Sequence, residues 1–158
     1  MTQSVRPAET KDLDQLLDIA EQRRDQYARY EPMFWRPAAD AVDVQRPHFR
    51  DLLEEGGVAV VVAVDDDRVA GFVIASITDS PPVYDPGGRT CVVDDFAVAR
   101  DEDWSWAGPQ LLQQVKGWAA ARQAVQVVVV TGHRDDTKRG VLRRAGLSLT
   151  SEWWTGPT

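Results

Sequence analysis

Apolar positions along this chain follow two rhythms, one of period near four and one of period two. Leu13, Leu16, Leu17 and Ala20 recur at helical spacing behind Thr10, a residue type suited to an N-cap. A first helix is therefore predicted from there towards Tyr27 or Tyr30, ending before Glu31-Pro32 because the residue ahead of a proline avoids helical geometry. A short strand over residues 4–7 precedes it. The segment EPMFWRP (31–37) holds Met33, Phe34 and Trp35 between two prolines. A second helix through Val42, Val44, Phe49, Leu52 and Leu53 follows, kinked or divided at Pro47.

From Gly56-Gly57 onward the pattern changes. The run VAVVVAV (58–64) is β-branched and reads as a strand, and the turn Asp65-Asp66-Asp67-Arg68 returns it into VAGFVIASIT (69–78). Gly71 inside that strand points to a bulge or a close packing contact. DSPPVYDPGGRT (79–90) is a loop by composition, and CVVDDFAV (91–98) is the fourth strand. An acidic, tryptophan-rich loop then leads into a helix opening at Gly108-Pro109-Gln110. A strand VQVVVVTG (125–132), a basic helix ending in RRAGL (143–147) and a closing strand with Trp153 and Trp154 complete the reading. On that last strand the two indoles alternate, one towards the core and the other towards a cleft or a dimer contact. Antiparallel strands followed by a strand–helix–strand crossover make an α/β (α+β) fold, a mixed sheet with helices on both faces.

Composition narrows the class. At 158 residues, with 43% hydrophobic and 27% charged side chains, the chain is expected to be one globular domain over 1–158. Its longest apolar run, Gly56 to Val64, is far too short for a membrane span, and the N-terminus lacks a secretory signal pattern, so a cytoplasmic setting is expected. The lone Cys91 lies in an apolar strand and reads as a buried thiol. Two distant histidines and one cysteine give no metal-ligand spacing, so no metal is expected.

Charge separates along the chain. Residues 1–98 carry 10 basic and 19 acidic side chains, a net of −9, whereas residues 99–158 carry 8 and 6, a net of +2. The overall −7 argues against nucleic acid as a partner, and an anionic ligand would belong to the C-terminal part. No GxGxxG follows a strand, which argues against a dehydrogenase-like nucleotide domain.

Taken together, VRPAETKDLDQLLDIA, DDRVAGFVIASI, DDFAVARDEDWSWAGPQLLQQVKGWAA and DDTKRGVLRRAGL resemble, in order and spacing, the elements of the GNAT superfamily of acyl-CoA-dependent N-acyltransferases. The resemblance implies a mostly antiparallel central sheet of six to seven strands. It implies acetyl-CoA as acyl donor, a small-molecule amine as acceptor and direct attack of one on the other; a homodimer is compatible with it. Its cofactor residues map to the strand backbone at Phe96, Ala97 and Val98, to the helix start at Trp106, Ala107, Gly108, Pro109 and Gln110, and to Asp135 and Lys138 on the last helix. The physical basis is that free N–H groups at a helix start receive a diphosphate.

The family loop (Gln/Arg)-x-x-Gly-x-(Gly/Ala) places Asp103, Trp106 and Gly108 at its three marked positions, and only Gly108 matches. Pro109 removes one donor, and Asp101, Glu102 and Asp103 bring negative charge. Three readings of the loop therefore stand: acetyl-CoA held with help from Arg100, Arg134, Lys138 or Arg139; a different acyl carrier; or none. Trp104 and Trp106 read equally as a lid packed on the helix start. For the amine's proton, Asp94 and Asp95 are the candidate bases, with Asp94 favoured because it shares strand parity with Val92, Phe96 and Val98. The family's tyrosine on the last helix corresponds to Leu142, which leaves Tyr84, Tyr30 or water as the acid. His133 reads as a surface residue. Tyr30, Phe34, Trp35 and Tyr84, near Glu31, Asp79 and Asp85, are the candidate contacts for an amine cation. The same scaffold without catalysis, binding an acyl-CoA or another ligand in a regulatory role, is the alternative.

Overall fold

Five strands hydrogen-bond in sequence order, and only the last pair is parallel. The computed structural model describes residues 2–158. The elements are β1 (Gln3–Pro7), α1 (Leu13–Tyr30), α2 (Ala41–Glu54), β2 (Val58–Asp65), β3 (Arg68–Thr78), β4 (Arg89–Val98), α3 (Ala107–Ala120), β5 (Ala124–Val129) and α4 (Asp136–Arg144). Single 3-10 turns stand at Thr10–Asp12 and Asp101–Ser105.

β2 and β3 form the centre because their β-branched residues fill both faces. Val61, Ala63, Val73 and Ala75 pack with α3 and α4, while Val60, Val62, Phe72 and Ile74 pack with α1 and α2. Burial of the valine, isoleucine and phenylalanine side chains contributes roughly 1.5–3 kcal/mol each, so the double-sided core sets the layer order. Phe49 of α2 meets Phe72 edge to face at 5.9 Å. Gly71 lies at the register shift where Ala63 and Val64 oppose Gly71 and Val69, and a Cβ there would stand 2.9 Å from the Ala97 carbonyl. Both features expected of that glycine coexist.

Two expectations are corrected and a third is narrowed. The sheet has five strands, not six to seven: residues 147–158 form none, and Trp153 and Trp154 are 86% and 89% exposed. Strand propensity acts only where a neighbouring strand offers a ladder, and this segment has none. Thr10 does not cap α1; the entry is a 3-10 turn in which Asp12 accepts the Glu9 N–H at 2.8 Å and the Arg6 guanidinium at 2.7 Å. Of the two outcomes expected at Pro47, a kink or a division, division is excluded, since the second helix runs unbroken from Ala41 to Glu54. Among the described residues no helix is long and apolar enough to cross a membrane.

Candidate active site

β4 and β5 pair from Arg89 to Val93 and then part. The last shared bond runs from Val130 N–H to Val93 O at 3.1 Å. Asp94 is the extra residue there, since Ile74 opposes Asp95 while Ala75 opposes Val93. This bulge reverses the alternation expected from the sequence. Cys91, Val93 and Phe96 all enter the α3–α4 core, Ala97 enters the α1–α2 core, and Asp94, which is exposed, enters neither. The parity assigned to Asp94 is thus wrong, because one unpaired residue shifts every later side chain to the other face.

Beyond the bulge the backbone is half-used. Ala99 N–H bonds Ala70 O at 2.8 Å, so alternation turns the polar groups of Phe96 and Val98 away from β3, towards the side where β5 has ended. The gap is bridged by side chains from α1 and α4. Tyr27, buried, donates to Asp135 Oδ2 at 2.7 Å and accepts the Gly132 N–H at 3.2 Å. Asp135 caps α4 by accepting Lys138 N–H at 3.3 Å. Lys138 is wholly buried, its Nζ donating to Val130 O at 3.3 Å and lying 5.5 Å from the centroid of Phe96. Arg23 donates to Asp95 Oδ1 at 2.7 Å and stands over the Tyr27 ring.

These surroundings displace two titrations. Burial, reinforced by the charge of Arg23 and opposed by Asp135 and Asp95, lowers Lys138 to about 7. Burial, followed by the Asp135 carboxylate, raises the Tyr27 hydroxyl to about 12.

The α3 start is closed. Trp104 is 5% exposed, packs edge to face on Phe96 at 5.0 Å, and would lie 2.8 Å from any Cβ at Gly108. Ala107 and Gly108 are buried beneath it, while Pro109 and Gln110 are exposed and Trp106 is half-buried. Asp103 fixes this arrangement by accepting from Arg68 at 2.7 and 3.0 Å, from Arg100 N–H at 3.2 Å and from Trp106 Nε1 at 3.3 Å. Burial pushes the Asp103 carboxyl up, but bonds from Arg68 and Trp106 outweigh it and the net shift is downward. Trp104 thus packs on the helix start as its lid reading expects, while Pro109 and Gln110 stay exposed.

An opening exists beside it instead. A cleft of about 480 Å3 separates α1 from the end of β4, lined by Arg23, Arg29 and Tyr30 on one wall and by Ala97, Val98 and Arg100 on the other, with Arg134 and Asp136 at the α4 start. A second cavity of about 520 Å3 lies under loop 79–88, between Tyr84, Asp79 and Asp85 and the strand residues Val92, Gln126 and Val128.

The predicted residues divide between these places. Phe34 meets Trp35 at 4.6 Å, Trp35 meets Tyr27 at 5.1 Å and Tyr27 meets Tyr30 at 5.6 Å, so three of the four aromatic candidates gather around α1. Tyr84 stays apart in the second cavity, 72% exposed. His133 is exposed and its carbonyl accepts from Arg139, while Leu142 is buried in the core. Arg23, Tyr27 and Arg29 escaped sequence reasoning. Arg23 and Tyr27 did carry a signal, since positions 23, 27 and 30 recur at i, i+4 and i+7 along one stripe of α1, whereas Arg29 lies off that stripe.

The fold is similar to that of a mutant BH1408 protein of Bacillus halodurans, at 13% identity and a TM-score of 0.84 over 98% of this chain and 99% of that one. It is also similar to a predicted acetyltransferase with acetyl-CoA from Clostridium acetobutylicum, at 17% identity and 0.75 over 99% and 96%. The aminoglycoside antibiotic 6'-N-acetyltransferase AAC(6')-Ih of Acinetobacter baumannii matches at 14% and 0.74 over 99% and 98%. No curated protein gives a significant match to the sequence. The model of the Acetyltransferase (GNAT) family matches residues 13–146, and the chain, with its parted fourth and fifth strands, belongs to that family.

Proposed function

We propose that this protein is an N-acetyltransferase that moves an acetyl group from acetyl-CoA to a small amine by direct attack. The parting of β4 and β5 after Val93 carries the reading, because it leaves outward backbone groups at Phe96 and Val98 beside a cleft. Those groups suit the amides of the acyl arm. The phosphates fall to Arg29, Arg100 and Arg134, which line the cleft, in place of the closed helix start. Acetyl-CoA, when bound, supplies an acyl group activated as a thioester.

The chain's own residues supply the rest. Asp94, exposed at the bulge, accepts the proton of the attacking amine, directly or through water. Asp95, tied to Arg23, orients α1 against β4 and does not serve as base. Tyr30, Phe34 and Trp35, with Glu31 beside them, form an aromatic and anionic wall suited to an amine cation. Two neighbours fit this reading: one is a predicted acetyltransferase with acetyl-CoA, and the other is an aminoglycoside 6'-N-acetyltransferase.

The closed helix start favours a second reading, binding without turnover. Calorimetry with acetyl-CoA and CoA, followed by thiol release across a panel of amines, separates the two. The transferase reading expects saturable binding and amine-dependent release that falls in Asp94→Asn. Binding with no release from any amine favours the second reading, and no binding at millimolar acetyl-CoA rejects both.

A further inference from the structure

Among the described residues, Lys138 is the one charged residue within the set of largest fully buried side chains. A buried ammonium normally has a carboxylate at bonding distance, because desolvation otherwise costs several kcal/mol. Here the acceptor of its Nζ is the Val130 carbonyl at 3.3 Å. Around it stand Arg23 and Tyr27 from α1, Asp95 from β4 and Asp135 at the α4 start, none of them in a salt bridge with it. A methionine would fill the same space in the α4 packing without that cost, so packing does not account for an amine here.

Its place does. The Nζ lies between the Phe96 ring on β4 and the first carbonyl beyond β5, in the gap where the two strands part. The geometry points to Lys138 as the proton donor to the thiolate that leaves during acyl transfer, an assignment that rests on the transferase reading above. The amine nitrogen forms a bond to the thioester carbonyl carbon, and its proton passes to Asp94. The carbon–sulfur bond breaks with its electron pair on sulfur. The Lys138 ammonium then gives sulfur a proton and becomes a neutral amine, which solvent reprotonates, so amide and free thiol are the products.

The competing donor is Tyr30, which lines the cleft from α1 and accepts from Gln26 Nε2 at 2.6 Å. Leu142, one turn further along α4, is apolar and buried, and Tyr84 lies in the other cavity. The Tyr27 hydroxyl is already committed to Asp135. A lysine whose protonation balances near neutrality suits an acid that must also recover its proton in each cycle.

Lys138→Met and Lys138→Arg test the assignment, with acetyl-CoA affinity by calorimetry and Tm as controls. The expected result in Met is a kcat lower by about 100-fold, affinity within a few-fold of wild type and a Tm no lower. Arg, which keeps the charge but holds its proton, loses a similar factor. In wild type, kcat falls as pH rises past about 7, and this limb vanishes in Met. Acyl thioesters with a more acidic thiol recover most of the Met loss, because they leave without help. A Met variant as active as wild type, a wild-type kcat that does not fall above neutral pH, or an acetyl group found on Lys138 by mass spectrometry overturns this assignment alone. A wild-type chain that binds no acetyl-CoA overturns it together with the transferase reading.

Discussion

The guanidinium of Arg68 closes on both carboxylate oxygens of Asp103, at 2.7 and 3.0 Å, and so ties the start of β3 to the turn that feeds α3. The pair explains why an aspartate stands in a loop where an anion-binding role led us to expect a neutral or basic residue. Asp103 organises the loop from inside, gathering Arg100 N–H and the Trp106 indole as well.

Asp103→Ala leaves three donor groups without their acceptor, and we expect a loss of about 3 kcal/mol in urea unfolding, with altered tryptophan fluorescence. Since the carboxyl titrates below its ordinary 3.8 in the fold, the pair's contribution is present above that pH and disappears as pH falls through the lowered value. Loss of only a few tenths of a kcal/mol would show that the loop holds itself.

Two glycines in α3 should respond with opposite signs. Gly108→Ala drives a methyl towards Trp104 at 2.8 Å and Val141 at 3.2 Å, and is expected to cost about 1–3 kcal/mol. Gly117 is exposed mid-helix with nothing within 4 Å, so Gly117→Ala should stabilise by about 1 kcal/mol. Thermal melts of both variants decide this, and equal shifts would refute the lid packing.

Arg29→Ala, Arg100→Ala and Arg134→Ala should each weaken acetyl-CoA binding by about 5–10-fold, with a reduced salt dependence of affinity, if these residues hold the phosphates. Arg122→Ala, whose guanidinium stacks on Trp118 and bonds its carbonyl, serves as a control with unchanged binding. Titration at two salt concentrations makes the comparison, and unchanged affinity in all three cleft variants would remove the arginines from the site.

Stability should rise with pH between 7 and 9. Lys138 titrates at about 7 in the fold against an ordinary 10.5, so over that range the unfolded chain binds a proton that the folded chain lacks, and added base favours folding. The slope approaches at most about 1.4 kcal/mol per pH unit. Above 9 Cys91, raised by burial to about 11, and above 10 Tyr27, raised to about 12, hold protons in the fold that the unfolded chain has lost, so both act in the opposite sense. Urea unfolding across pH 7–9 checks the rise, and Lys138→Met should abolish it.

Much of the architecture was legible because it is local. Helical spacing located α1 through Leu13, Leu16 and Leu17, and β-branched runs located β2 and β3, since each element buries one face or both against its neighbours. The Asp66-Asp67 turn and the crossover through α3 followed from the same patterning. The closing strand failed because its apolar residues record propensity alone, and a strand exists only with a partner beside it.

By itself the sequence determined the order of elements, the two-faced core and the family, all properties of residues near one another in the chain or of pattern summed along it. Tertiary structure alone decided where the site opens. The bulge at Asp94 moved every later β4 side chain across the sheet, Arg68 reached 35 residues along the chain to close the α3 loop, and Tyr27, Asp135 and Lys138 met in the gap between strands. Each of these depends on a contact between segments far apart in the chain. Geometry of that kind leaves no periodicity to read, because it is set by how packed layers meet rather than by which residues follow one another.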